Sequence, residues 1–426
     1  MKKILLVAVC TLMLFACGNK KVQKTPPDNK LSKCTLRFSW WGGDDRHNAT
    51  MKAITLWNAR QPNIEIKAEY GGWDGWTEKV NTQISGGSEP DVMQINYDWL
   101  VTLSSDGKGF YDLNELNKFL DLSGFDDDIL SFGTVNGYLN AVPVSLTGRG
   151  FFYNSEVFDR LGVAYPETWD ELLTAGNIFY KNDCYPIDLD IQSGGTAWYI
   201  SVVYVQQKTG REFLDMGGNL GFTVEDLEMV LEFYKKLEEN HVTRTVRERI
   251  DMDGNSALYQ SPEFINGNIA GVLEWNSAVG KYESVLDKGV LQAGNYIGDS
   301  GWFVKPSLLY AVSANTKNPD EAGAFIDFLL NDEECADILG TSRGIPASRY
   351  AEEELEKTGK LDGLTKQNAD MLDSMKTVTI SPYMELARMK EFYNMAIERI
   401  SYRKGDIYDI AQELYDNITE YLENIK

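Results

Sequence analysis

Apolar and polar positions along this 426-residue chain follow two periods in turn. Leu36-Arg-Phe-Ser-Trp-Trp41 reads as a short strand ending at Gly42-Gly43-Asp44-Asp45. From Asn48 to Gln61, Met51, Ile54, Thr55 and Trp57 recur at helical spacing, and Pro62 stops them. Ile64–Ala68 alternates as a second strand. A Gly- and Trp-rich loop, Gly71–Trp76, then leads to a helix over Thr77–Ser85, and Val92–Ile95 is a third strand. Strands alternating with helices in short crossovers predict a parallel α/β sheet, whose ligands sit beyond the carboxyl ends of its strands. Further along, Ala141–Val144 and Gly148–Tyr153 are extended, opening a second α/β unit. Helices are predicted near Thr168–Tyr180, Thr196–Gln207, Thr223–Glu239 and Ser261–Asn266. Ile269–Leu273 and Phe303–Val312 are again extended, Pro319–Leu330 is a helix capped by Asn318, and from about Pro382 the tail is helical to the end.

The N-terminus breaks this pattern. Lys2 and Lys3 precede an apolar run, Ile4–Phe15, that is too short to span a bilayer. It closes on Leu14-Phe15-Ala16-Cys17, which resembles the lipobox of bacterial lipoproteins. That resemblance implies a signal peptide over residues 1–16 and a lipid on the Cys17 thiol. Residues 17–33 then read as a polar tether with five lysines after Cys17 and a Pro-Pro. No later stretch approaches transmembrane length, so the membrane is reached through the anchor alone.

Composition narrows the chemistry. A net charge of −23 would repel phosphate backbones, which argues against a nucleic-acid partner. Beyond Cys10 and Cys17 only Cys34, Cys184 and Cys335 remain, widely spaced and without a CxxC, so no disulfide framework is expected. With His47 and His241 as the two imidazoles, a zinc site lacks ligands, and no metal or cofactor is expected. Asp251-Met-Asp253-Gly-Asn255 opens like a calcium loop, but Ser256 takes the glycine position and Pro262 the twelfth, so it is rejected. The 50 aromatics, 12% of the chain, read either as large cores or, more sharply, as the lining of a cleft.

Several segments together resemble the extracellular solute-binding protein family 1, the carbohydrate receptors of ABC importers that include the maltodextrin-binding proteins. They are Trp40-Trp41-Gly-Gly-Asp44, Ser88-Glu-Pro-Asp91-Val92, Val142-Pro143 leading to Phe152-Tyr-Asn154, and Pro166-Glu-Thr-Trp169-Asp170-Glu171-Leu172. Phe264–Gly267 with Trp275, Ala311–Asn315 followed by Asn318–Ala322, and Gly344-Ile345-Pro346 continue the set in the family's order.

The resemblance implies a type II periplasmic-binding-protein-like fold: two discontinuous α/β lobes joined by a hinge. Lobe one is expected at 34–144 plus 303–350, and lobe two at 145–302 plus 351–426. It further implies a monomeric, exported lipoprotein on the outer face of the cell membrane, closing around a sugar and delivering it to an ABC permease.

A pyranose offers an apolar face to aromatic rings and a belt of hydroxyls to polar side chains. By match to the family, Trp41, Asp44 and Trp275 are ligand contacts, with Asn96, Tyr97 and Trp99 on the loop after the third strand. By position and chemistry, Trp73, Arg149, Trp302 and Arg343 are further cleft candidates. Trp57 and Trp169 are expected in the core, and Asp45 with Arg46 reads as a solvated pair at a helix start. So many cleft aromatics favour an oligosaccharide. Two other classes compete: a surface glycoside hydrolase, which needs two carboxyl groups facing one bond, and a peptide- or metal-binding lipoprotein.

Overall fold

The computed structural model describes residues 31–425 other than 74, 191–194 and 255. The signal peptide, Cys17 and the tether up to residue 30 lie outside the described residues. Strand β1 (Cys34–Trp41) is joined by α1 (Asp44–Arg60) to β2 (Ile64–Gly71), and by α2 (Trp76–Ser85) to β3 (Val92–Ile95). β1 pairs in parallel with β2 along its whole length and with β3 at Phe38 and Ser39. Helices and loops cover both faces, so from Phe38 every residue of β1 is buried rather than every second one. Helix α1 starts four residues earlier than its apolar period suggests. Its first turn carries Asp44 and Asp45, and carboxylates there are favoured by the positive end of the helix.

The run of parallel pairs that starts at β2 ends at β3, where antiparallel pairing begins, which corrects the sequence expectation of a parallel sheet. Four further strands are β4 (Ala141–Asn154), β5 (Gly271–Trp275), β6 (Leu291–Ala293) and β7 (Ser300–Val312). β7 pairs antiparallel with β3 on one side and with β4 on the other, giving the order β4, β7, β3, β1, β2. The two-residue strand Ile345–Pro346 closes the β4 edge. β4 changes partners along its length: Ala141–Gly148 bonds β7, while Arg149–Tyr153 bonds β5 and Phe152–Asn154 bonds β6. One strand thereby passes from one α/β half into the other. β7 makes the return crossing, its start paired with β8 (Lys376–Thr379). The sequence broke β4 in two at Gly148, yet its glycines mark close approach rather than a turn. A Cβ at Gly150 would fall 1.8 Å from the Asn368 side-chain nitrogen.

The half holding β1–β3 packs Phe38 and Trp57 edge-on against Phe325 of the helix Pro319–Asn331. Pro319 starts that helix, and the Asn318 side chain makes no cap bond, contrary to expectation. The other half is built around helices Trp169–Tyr180, Thr196–Thr209 and Val224–Glu239, with the C-terminal helices Ala387–Ser401 and Ile407–Ile425 packed onto them. Thr168 and Thr223 cap two of these with capping boxes. The tail is not one continuous helical run: Arg403 adopts a left-handed φ of 53° and Gly405 one of 103°, which separates the last two helices. Helices Arg349–Thr358 and Gly363–Asp373 were not foreseen.

Candidate functional site

The carboxyl ends of β1, β2 and β3 bring Trp41, the last residue of β1, together with Trp73 and Trp99, which follow β2 and β3. The Trp41 ring centroid lies 5.1 Å from Trp73 and 5.6 Å from Trp99. Trp41 and Trp99 are buried, whereas Trp73 is 48% exposed and projects from the cluster. Trp73 also lines a cavity of about 620 Å³, whose remaining wall comes from the other half and includes Arg149, Glu274, Trp275, Lys281 and Tyr259. That volume falls within the range of small-molecule sites, roughly 300–1,000 Å³.

Trp275, at the end of β5, is half-buried and lines this cavity. Cations flank its ring. The Arg149 guanidinium lies 4.4 Å from its centroid and 4.5 Å from that of Tyr199, and the Lys305 ammonium is 4.8 Å from Trp275. Lys305 in turn donates to both oxygens of Glu385, at 2.6 and 2.7 Å. Lys281 reaches Glu274 at 2.8 Å. Burial favours the neutral form of Glu274, but Lys281 and Arg149 outweigh it and hold the carboxyl below its usual range.

A second charged group on the wall escaped the sequence reading. Asp188 accepts from Arg244 at 2.6 Å and from Arg249 at 3.0 Å, and Arg244 also donates to Asp253 at 2.6 Å. All four residues line the cavity. Burial alone would raise Asp188, yet Arg249 and Arg244 keep it well below the ordinary carboxylate range. No spacing in the sequence links Asp188 with Arg244. They meet through tertiary packing next to the isolated bridge between Asp188 and Val272 of β5.

The remaining candidates disperse. Asp44 is exposed on the first turn of α1. Asn96 donates to Asp98 at 2.5 Å, and Tyr97 is buried edge-on to Phe132 with its hydroxyl 3.9 Å from the Met216 sulfur. Trp302 is corrected outright. It is 1% exposed, lies 5.0 Å from Tyr296 and 5.5 Å from Phe151, and donates to the Ile297 carbonyl, so it is core. Its position within β7, among the rings of Phe151, Trp169 and Tyr296, explains why position along the chain and side-chain chemistry pointed the wrong way. Arg343 is also buried, against the β1–β3 half. It donates to Gln94 at 3.2 Å and Thr50 at 2.8 Å. Trp57 is buried, and Trp169 packs half-buried against the core.

Among the described residues, no cluster of three or more His, Cys, Asp or Glu is arranged to hold a metal, and no helix is long and apolar enough to cross a membrane. Cys34, Cys184 and Cys335 are free thiols.

Known proteins share this architecture. A periplasmic oligogalacturonide-binding protein of Yersinia enterocolitica, solved with saturated digalacturonic acid, is 35% identical, with a TM-score of 0.85 over 92% of this chain and 99% of that one. A periplasmic solute-binding protein of Pectobacterium atrosepticum is 34% identical, with a TM-score of 0.87 and the same coverage. A maltooligosaccharide ABC transporter solute-binding lipoprotein of Streptococcus pneumoniae is 22% identical over 99% of this chain and 96% of its own length. The family model described as bacterial extracellular solute-binding protein matches residues 43–334. Two α/β halves joined by exchanged strands, an aromatic cluster at the strand ends and this match agree: the chain belongs to the bacterial extracellular solute-binding protein family.

Proposed function

We propose that this protein is the receptor of an ABC importer and captures an oligosaccharide by closing two lobes over it. The observation that carries this reading is the cavity lined by Trp73 from one half and by Trp275 and Arg149 from the other. Flat rings on opposite walls suit the apolar faces of successive sugar rings, and the charged groups between them suit hydroxyls. The relatives support the ligand class, since one is solved with digalacturonic acid and another is named for maltooligosaccharides. In this reading the lobes comprise 34–144 with 303–350 and 145–302 with 351–426, β4 and β7 form the hinge, and lipid on Cys17 tethers a monomer outside the membrane beside its permease. The protein binds its sugar without cleaving it. Thermal-shift screening against defined oligosaccharides tests this: a ligand at 100 times its Kd stabilises by about 2.7 kcal/mol. New reducing ends in the same incubations would replace the receptor with a hydrolase.

A further inference from the structure

Arg46 and Arg343 form a second cationic feature, beside Trp41 and in the β1–β3 half, and among the described residues neither guanidinium bonds an acid. Arg46, on the first turn of α1, folds back over Gly42. Its Nε donates to the Ser342 carbonyl at 3.1 Å and its Nη1 to the Trp41 carbonyl at 3.2 Å, and none of its bonds uses Nη2. A Cβ at Gly42 would lie 2.6 Å from Arg46 Cδ, so the glycine makes room for this fold-back. Arg343, 3% exposed, uses Nε and Nη2 on Gln94 and Thr50, while its buried Nη1 has no partner. Each of these bonds goes to a neutral group. Asp44 and Asp45, on the same turn as Arg46, are exposed and bond to neither guanidinium. Burial, and then repulsion from Arg343, push Arg46 down to about 9. Two like charges, one buried and one half-buried, with no bonded counter-charge among the described residues are costly, so something else must justify them.

Their place in the fold supplies the reason. Trp41, whose carbonyl Arg46 holds, packs on the cavity residue Trp73. Gly344, next to Arg343, sits where a Cβ would lie 3.0 Å from Ser277, the neighbour of the cavity residue Ala278. By contrast Arg244, Arg249, Lys281 and Lys305 are each matched by a carboxylate of the protein. We propose that the Arg46–Arg343 pair is an anion subsite of this cleft and that the captured glycan carries a carboxylate, as a uronic acid residue does. This rests on reading the chain as an oligosaccharide receptor. The ligand's carboxylate supplies the missing counter-charge, and the planar fork of Arg46 suits its two oxygens.

Calorimetry with three probes on the intact protein tests the assignment: digalacturonic acid, the same disaccharide with both carboxyl groups reduced to hydroxymethyl, and sodium sulfate. Hydrogen bonds to charged groups contribute about 1.5–3 kcal/mol, so the acid should bind about tenfold or more tighter than its neutral counterpart. Arg46→Gln should collapse that preference, and raised salt should erode it. Arg343→Gln, more deeply buried, is read only where its melting shows a folded protein. Equal binding of the acid and neutral disaccharides, or an undiminished preference in Arg46→Gln, would overturn the subsite and leave the receptor reading standing. Sulfate binding as tightly as the acid sugar would overturn the assignment to a sugar acid. Failure of every sugar, neutral maltooligosaccharides included, would overturn the receptor reading and this proposal with it.

Discussion

Trp73 and Trp302 carry the same ring into opposite roles, and substitution separates them. Trp302→Ala removes a ring packed among Phe151, Trp169 and Tyr296, which should cost roughly 3–5 kcal/mol of stability in chemical denaturation. Trp73→Ala removes a half-exposed ring from the cavity wall. It should leave the denaturation midpoint nearly unchanged while weakening glycan binding tenfold to hundredfold, from aromatic contact plus lost apolar burial. The reverse pattern would place the binding surface elsewhere. Much of the aromatic part of the site was legible in the sequence because the carboxyl ends of the first three strands could be placed, and Trp41, Trp73 and Trp99 sit at or just beyond those ends. The charged part was not. Asp188, Arg244 and Arg249 come together by folding, and Arg46 looks solvated until its side chain is seen turned back over Gly42.

At the scale of elements, the strand-helix alternation was readable up to β3 because each element there is short and bounded by Gly or Pro. The antiparallel crossing of β4 and β7 was not, because pairing direction leaves no periodic trace. That crossing sets up a contact with its own pH dependence. The short helix Trp99–Leu103, preceded by Asp98, packs against the turn Pro382–Glu385. Burial, then the Glu385 carboxylate, push Asp98 up to about 6, while Lys390, Asn96 and Lys305 act in the opposite sense. An acid whose folded pKa lies above its unfolded value of about 3.9 favours the fold when protonated. Its stabilisation is therefore full below about pH 4 and lost as the pH rises through about 6. Asp98→Asn should melt with the wild type at about pH 4 and above it at about pH 8. Equal melting at both values would show that Asp98 titrates normally.

For the whole molecule, two α/β halves share two crossing strands, and the cavity draws residues from both. Opening such a cleft exposes its walls to solvent, and a ligand that touches both walls favours the closed arrangement by its difference in affinity. The proposed anchor belongs to this scale as well: Cys17→Ser should release the protein from membranes into the soluble fraction, and unchanged detergent-phase partitioning would refute lipidation at that thiol. The central claim, capture by closure, is tested most directly by small-angle scattering on the mature protein with and without a saturating oligosaccharide whose binding has been verified by calorimetry. The account predicts a smaller radius of gyration in the liganded state. An unchanged radius, from protein first stripped of any sugar carried through purification, would contradict it.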